Sequence, residues 1–171
     1  MKILIPIATI LLLCSACAES ISPTSNALSA EQEQALADEL TERIEQYSGT
    51  HNLMKCDDAA SFEPWRNYFT ESVLNAADST VKQWEGEEFI DIARGGACGR
   101  ESIELLGQKN MIRILSANSA VIASTFDEIV TDTSGVKQRV KGSWMSVWVK
   151  TDNSWKITAW TDDHLDVDLD S

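Results

Sequence analysis

Histidine is nearly absent from this chain: His51 and His164 are the only two in 171 residues. Neither is placed by a motif, so no Ser-His-Asp or Cys-His catalytic arrangement can be argued from the sequence. There are four cysteines, and Cys56 and Cys98, the two beyond the first 17 residues, form no CxxC pair; that leaves a zinc site without a ligand set, and no metal or cofactor is expected. Basic residues are scarce, 14 Lys and Arg against 27 Asp and Glu, for a formal charge of −13. With no basic stripe to displace counterions from phosphates, nucleic acid is excluded as a partner. Repeats and low-complexity stretches are missing. At 43% hydrophobic and 24% charged the chain has ordinary globular composition, and its length fits one domain.

What is present begins with an address. Lys2 is followed by the apolar run 3–13, broken only by Pro6 and Thr9. The run falls short of the roughly 20 residues that span a bilayer as a helix. A basic start, a short apolar core and small residues after it read as a secretory signal covering 1–16. Leu13-Cys14-Ser15-Ala16-Cys17 resembles a bacterial lipobox, with Cys14 standing where Leu is commoner. Cys17 is then the lipidation site, and the expected location is the cell envelope, held to the membrane by the lipid alone. Ala18 after the anchor favours the outer membrane in a Gram-negative cell. The competing reading is cleavage after Ala18, which would release a soluble periplasmic or secreted protein. Loss of 1–16 removes Lys2 and takes the formal charge to −14. Residues 17–28 read as a flexible tether, 29–165 as the domain and 166–171 as an acidic tail. In an exported protein the remaining pair, Cys56 and Cys98, is a disulfide candidate, with two free thiols as the alternative.

Within the domain the apolar period is first helical. Ser29 and Gln32 form a capping-box pattern ahead of Leu36, Leu40, Ile44 and Tyr47, which predicts a helix over 29–47 that Gly49 ends. Phe62, Trp65, Phe69 and Val73 share one helical face and predict a second helix over 58–73, with Pro64 as a start or a kink. A third is expected over 87–94, stopped by Gly95-Gly96. Alternation then takes over. Strands are expected at 102–106, 111–115, 120–130, 137–150 and 155–161, with turns at 132–135 and 151–154. Residues 162–171 read as a frayed acidic end. Helices followed by hairpin-linked strands imply an α+β fold, with helices packed on one face of an antiparallel sheet.

The segment Gly142-Ser143-Trp144-Met145-Ser146-Val147-Trp148-Val149-Lys150, the turn Thr151-Asp152-Asn153-Ser154 and the strand Trp155-Lys156-Ile157 resemble the closing hairpin of the nuclear transport factor 2-like superfamily. The resemblance is greatest to its SnoaL-like domains, including the DUF4440 type, and covers about 30–164. It implies a cone-shaped (cystatin-like) fold, in which N-terminal helices pack on a strongly curved antiparallel sheet around a pocket. It also implies that two copies can pair through the outer face of the sheet as a homodimer. Family members include isomerases, dehydratases, polyketide cyclases and non-catalytic binding modules, so fold alone does not fix function. Relatives often carry His where this chain has Ala159 and Thr161, and His164 is expected to lie beyond the pocket's reach. In the family's cone the connections holding Cys56 and Cys98 lie near one another.

The catalytic relatives use a carboxylic acid, some with a tyrosine, in an apolar pocket where burial raises the carboxyl pKa. The candidates are Asp57 or Asp58, Tyr68, Asp127, and Asp162 or Asp163. Each also has a plain structural role open to it: a helix cap for Asp58, core packing for Tyr68, a solvated strand position for Asp127. His51 reads as a loop residue. Trp65, Tyr68, Trp144, Trp148 and Trp160 are the expected aromatic wall of a pocket, or else an interface. The expected function is a cell-envelope lipoprotein that binds a small apolar ligand or a protein partner. The alternative is a cofactor-independent isomerase, cyclase or dehydratase.

Overall fold

The fold is seen in a computed structural model that describes residues 27–77 and 80–167. The signal segment, Cys17, most of the tether and the end of the tail lie outside the described residues.

The first helix, α1, spans Ala30–Gly49. Its capping box forms as the sequence implies: Gln32 N–H donates to Ser29 Oγ, and Ser29 N–H donates to Gln32 Oε1. Leu40 and Ile44 are fully buried against the sheet. A Lys150–Glu39 ion pair at 2.7 Å and a hydrogen bond from Arg43 Nε to the Trp155 carbonyl tie the helix to the last hairpin. A single turn of 3₁₀ helix, Thr50–Asn52, follows.

The second helix is much shorter than its spacing implies. A 3₁₀ turn at Ala59–Phe62 leads into α2, Glu63–Arg66, with Pro64 in its first turn. The chain then turns into strand β1, Phe69–Ala77. Phe69 and Val73 are both buried, as a helix would also have them. A separation of four is close to one helical turn and is also two strand repeats, so the apolar spacing fits either element. Strand β2, Thr80–Glu85, pairs back on β1 in antiparallel register.

Helix α3, Gly86–Cys98, runs through Gly95 and Gly96 rather than stopping at them. Each glycine costs roughly 1 kcal/mol against alanine in a helix interior. Burial of Phe89 and Ala97, and a disulfide at its last residue, hold the helix through them. That disulfide joins Cys98 to Cys56 across 42 residues, with α-carbons 4.6 Å apart.

Four long strands complete the fold: β3 Arg100–Ser116, β4 Ser119–Asp132, β5 Lys137–Thr151 and β6 Ser154–Val167. The two strands expected at 102–106 and 111–115 are one. The end expected to fray at 162 instead continues β6, in register against Lys141 and Arg139 of β5. The sheet order is β2-β1-β6-β5-β4-β3. All pairs are antiparallel except β1 with β6, which is parallel. Bulges interrupt the ladders near Ser102, Gly107 and Ser116, and between Val147 and Trp148. Bulges bend and twist strands, and the sheet curves around α1 as the α+β cone implies. The β5–β6 turn places Asp152 and Asn153 at φ 51° and 59°, the pattern of a type I′ hairpin.

The core lies between α1 and the concave face. Leu40 and Ile44 meet Ala120, Ile122, Trp148, Trp155 and Ile157, while Trp65, Phe69 and Phe89 close one side with ring centroids 4.6–4.9 Å apart. The buried Ser146 accepts a 2.7 Å hydrogen bond from the Trp148 indole, which satisfies a donor at the centre of the core.

Candidate functional site

The core does not fill the cone. Past the C-terminal turn of α1 a cavity of about 320 Å³ opens between that turn and the concave face of the sheet. Alternation along the strands decides what faces it. On β4, Ala120, Ile122 and Ser124 are buried on the concave side, and the same parity carries Phe126 and Glu128 into the cavity wall. On β6, Trp160, Asp162 and His164 follow one another at intervals of two, opposite Ser146, Trp144 and Gly142 of β5. Gly142 is required there: a Cβ at this position would run into the Phe126 ring and the Asp163 carbonyl. From α1 and the turn after it come Tyr47, Ser48, His51 and Asn52, and from the start of β3 comes Arg100.

The wall is largely aromatic. Tyr47 is its hub, with ring centroids 5.0 Å from His51, 5.8 Å from Phe69 and 6.0 Å from Trp144. Phe126 lies 5.5 Å from His164. The polar groups are set among these rings. Asp162 Oδ1 accepts from Trp160 Nε1 at 3.1 Å and from Asn75 Nδ2 at 3.5 Å, and Asp162 Oδ2 lies 3.3 Å from His164 Nδ1. Asn52 is fixed by a two-way hydrogen bond with the Ile103 backbone.

Burial shifts several of these groups. The Tyr47 ring borders the cavity, but its hydroxyl is enclosed, and desolvation raises its pKa well above the usual tyrosine value. Desolvation likewise lowers His51, against the Ser48 carbonyl contact that favours protonation; Arg100 nearby lowers it further. His51 is therefore neutral near pH 7. A carbonyl can only accept, so His51 Nδ1 donates to Ser48 O at 3.2 Å and Nε2 is left as the basic nitrogen. Glu128 is raised by burial, partly offset by Arg100 and His164. Arg100 is lowered by burial, with Glu128 and Tyr47 acting the other way. Perturbed titratable groups converging on one concave pocket are the usual mark of a functional site.

The residues singled out from sequence divide sharply. Trp144, Trp160 and Asp162 line the cavity. Trp65, Tyr68 and Trp148 are buried in the core behind it, Tyr68 with the Arg43 guanidinium 3.8 Å over its ring. Asp58 caps the 3₁₀ turn, accepting from Ala60 N–H, and is exposed. Asp127 lies on the outer face of the sheet, bidentate to Arg139 at 2.8–2.9 Å, and this pair holds its carboxyl below the ordinary value. Asp58 and Asp127 thus stand outside the cavity, for the local reasons their positions allowed. His164, expected out of reach, reaches it because β6 runs on. Among the groups of the wall not identified as such from sequence are Tyr47, Phe126, Arg100 and Glu128. Glu128 had a signal, its shared parity with Ile122 and Phe126; Arg100 had none. Among the described residues no cluster of His, Cys, Asp and Glu could hold a metal ion.

No protein-family model matches the chain, and no curated protein does. Solved structures do. A scytalone dehydratase-like protein from Novosphingobium aromaticivorans superposes with a TM-score of 0.67 at 14% identity, covering 82% of this chain and 93% of that one. A nuclear transport factor 2-like superfamily protein from Salmonella enterica gives 0.59 at 17% identity over 76% and 91%. The association domain of C. elegans CaMKII gives 0.57 at 16% over 78% and 98%. At such identities the likeness is one of architecture, and the architecture of this chain is the nuclear transport factor 2-like cone.

Proposed function

We propose that this protein binds a small, largely apolar molecule inside the cone, on the envelope side of a bacterial membrane. One observation carries the binding role: a cavity of about 320 Å³ walled by aromatic rings and edged by a few convergent polar groups. Native mass spectrometry of the protein purified from its own envelope tests it. A co-purifying small molecule is expected. An empty protein that also gives no thermal shift across a library of aromatic and alicyclic compounds would count against it. Anchoring through Cys17 belongs to the same proposal, supported by the lipobox-like sequence and by the Cys56–Cys98 bridge, which suits an oxidising compartment. The intact mass of the mature chain checks it: a diacylglyceryl group on Cys17 is expected, and an unmodified chain starting at Glu19 would refute it. Pairing of two copies through the convex face is proposed as well. There Met111, Ala123, Met145 and Thr161 form one cross-strand row, with Met111 and Met145 largely exposed. Light scattering on the mature protein reads this directly.

A second reading, cofactor-independent proton transfer of the isomerase, cyclase or dehydratase kind, is favoured by the Asp162–His164 contact beside the neutral His51. A general base must lie within hydrogen-bond reach of the proton it takes, and the His51 imidazole and the Asp162 carboxylate both line the space a substrate would fill. In this reading Asp162→Asn abolishes turnover while leaving ligand affinity within a few-fold. Equal loss of both would reduce Asp162 to a binding group.

A further inference from the structure

The polar groups of the cavity are not equally occupied. Both oxygens of Asp162 have partners in the Trp160 indole, the Asn75 amide and the His164 ring. Asn52 is engaged with the Ile103 backbone, and the Gln108 amide donates to Asn110. Ser48 Oγ donates to Gln108 Oε1. Arg100 differs. It is the one Lys or Arg among the described lining residues, and its guanidinium is more than half buried. Glu128 acts on it through space, yet among the described residues it has neither a hydrogen bond nor a carboxylate within ion-pair distance. A guanidinium has five N–H donors in a planar fork matched to a carboxylate. Half-burying that fork without a partner is costly, and a ligand that supplies the acceptors recovers the cost.

We propose that Arg100 is the anchor for the carboxylate of an aromatic or alicyclic acid, whose ring lies between Trp144, Trp160 and Phe126. This rests on the reading of the cone as a small-molecule pocket and names the class it takes. The two carboxylates of the wall do not overturn it. Asp162 is turned to the Trp160 indole, the Asn75 amide and the His164 ring rather than to Arg100, and Glu128 lies beyond ion-pair distance of the guanidinium. Among the described residues the Arg100 fork is therefore the cavity's one cationic donor without an acceptor, and an acid is the ligand that supplies two acceptor oxygens to it. Specificity follows from the same balance. A neutral amide of the same shape offers one acceptor oxygen, and an amine offers none and would face Arg100 directly.

The probes are 2-naphthoate, 2-naphthamide and 2-naphthylmethylamine, titrated calorimetrically into the mature protein. The expected order is naphthoate tightest, naphthamide roughly tenfold to a hundredfold weaker, and the amine weakest; that margin is the worth of hydrogen bonds to a charged group. Arg100→Met should erase the difference between acid and amide while leaving amide affinity within a few-fold of wild type. Arg100→Lys should restore part of the preference, since charge returns without the fork. The unfolding midpoint and near-ultraviolet circular dichroism of each variant report whether the cone is intact. If Arg100→Met fails to fold, the order of the three probes on the wild type decides the question alone. Equal affinity for acid and amide, or a preference for the amine, overturns the Arg100 anchor while leaving the pocket in place. Binding of none of the three overturns the anchor and the pocket reading together.

Discussion

Trp155 offers the most direct measurement of how the cone is held together. It is 1% exposed and sits one residue past the type I′ turn, where it packs with Leu40, Ile44, Trp148 and Ile157. Removing a buried aromatic of this size costs about 3–5 kcal/mol, because the transfer energy is lost and the surroundings only partly close the hole. A second feature refines the estimate: the Trp155 indole N–H is the one fully buried side-chain polar atom without a partner among the described residues. An unpaired buried donor costs about 1–3 kcal/mol. Trp155→Ala therefore gives up packing and gains back part of this penalty, leaving a loss near the lower end, about 3 kcal/mol. Trp155→Phe keeps most of the ring and removes the unpaired donor, so it should lie within about 1 kcal/mol of wild type. Urea unfolding with the disulfide intact, followed by far-ultraviolet circular dichroism, measures both, provided the slope against denaturant is unchanged. A Trp155→Ala midpoint within error of wild type would refute the burial argument and imply a β6 register one residue out. A Phe variant as unstable as Ala would show instead that the indole N–H is satisfied.

Other outcomes follow from the same structure. The folded His51 pKa lies below the ordinary 6.5, so its contribution to stability is present above pH 6.5 and is lost as pH falls through the depressed folded value. Urea midpoints between pH 7.5 and 5 should fall less steeply for His51→Gln than for wild type. Glu128 has the opposite sign: its folded pKa is raised, so stability present below about pH 4.5 is lost as pH rises through the folded value. Glu128→Gln should accordingly be more stable than wild type at pH 7 by thermal unfolding. Opening the Cys56–Cys98 loop of 42 residues by a double Cys→Ser change should cost about 4 kcal/mol in the same assay, and thiol labelling of unfolded, unreduced protein should find neither cysteine free. Asn153→Ala removes the short polar side chain that lets asparagine adopt φ 59° and should cost about 1 kcal/mol.

Much of this architecture was legible in the chain. The capping box at Ser29 and the Leu40, Ile44 stripe locate α1, because both signals are local and have a single geometric reading. The tight turn at Asp152-Asn153 and the alternation on either side locate the last hairpin and put Trp155 and Ile157 on the core side. Pairing of Cys56 with Cys98 was one of two readings of compartment and count. Ambiguity entered wherever spacing served two elements at once. Phe62, Trp65, Phe69 and Val73 read as one helix, yet the chain leaves the helix after Arg66, because positions four apart share a face in a strand as well. Gly95 and Gly96 read as a stop, and only the disulfide and the burial of Ala97 carry α3 past them. The site was the least legible part. Asp162 and the cavity tryptophans could be nominated by type. Which carboxylate turns inward depended on the bulges and on how far β6 continued, and these are set by pairing between strands distant in sequence. Arg100 stands next to nothing that marks it in the primary structure. It borders the cavity because the sheet curls around α1, bringing the start of β3 over the end of that helix, and a sequence does not display that closure until it is folded.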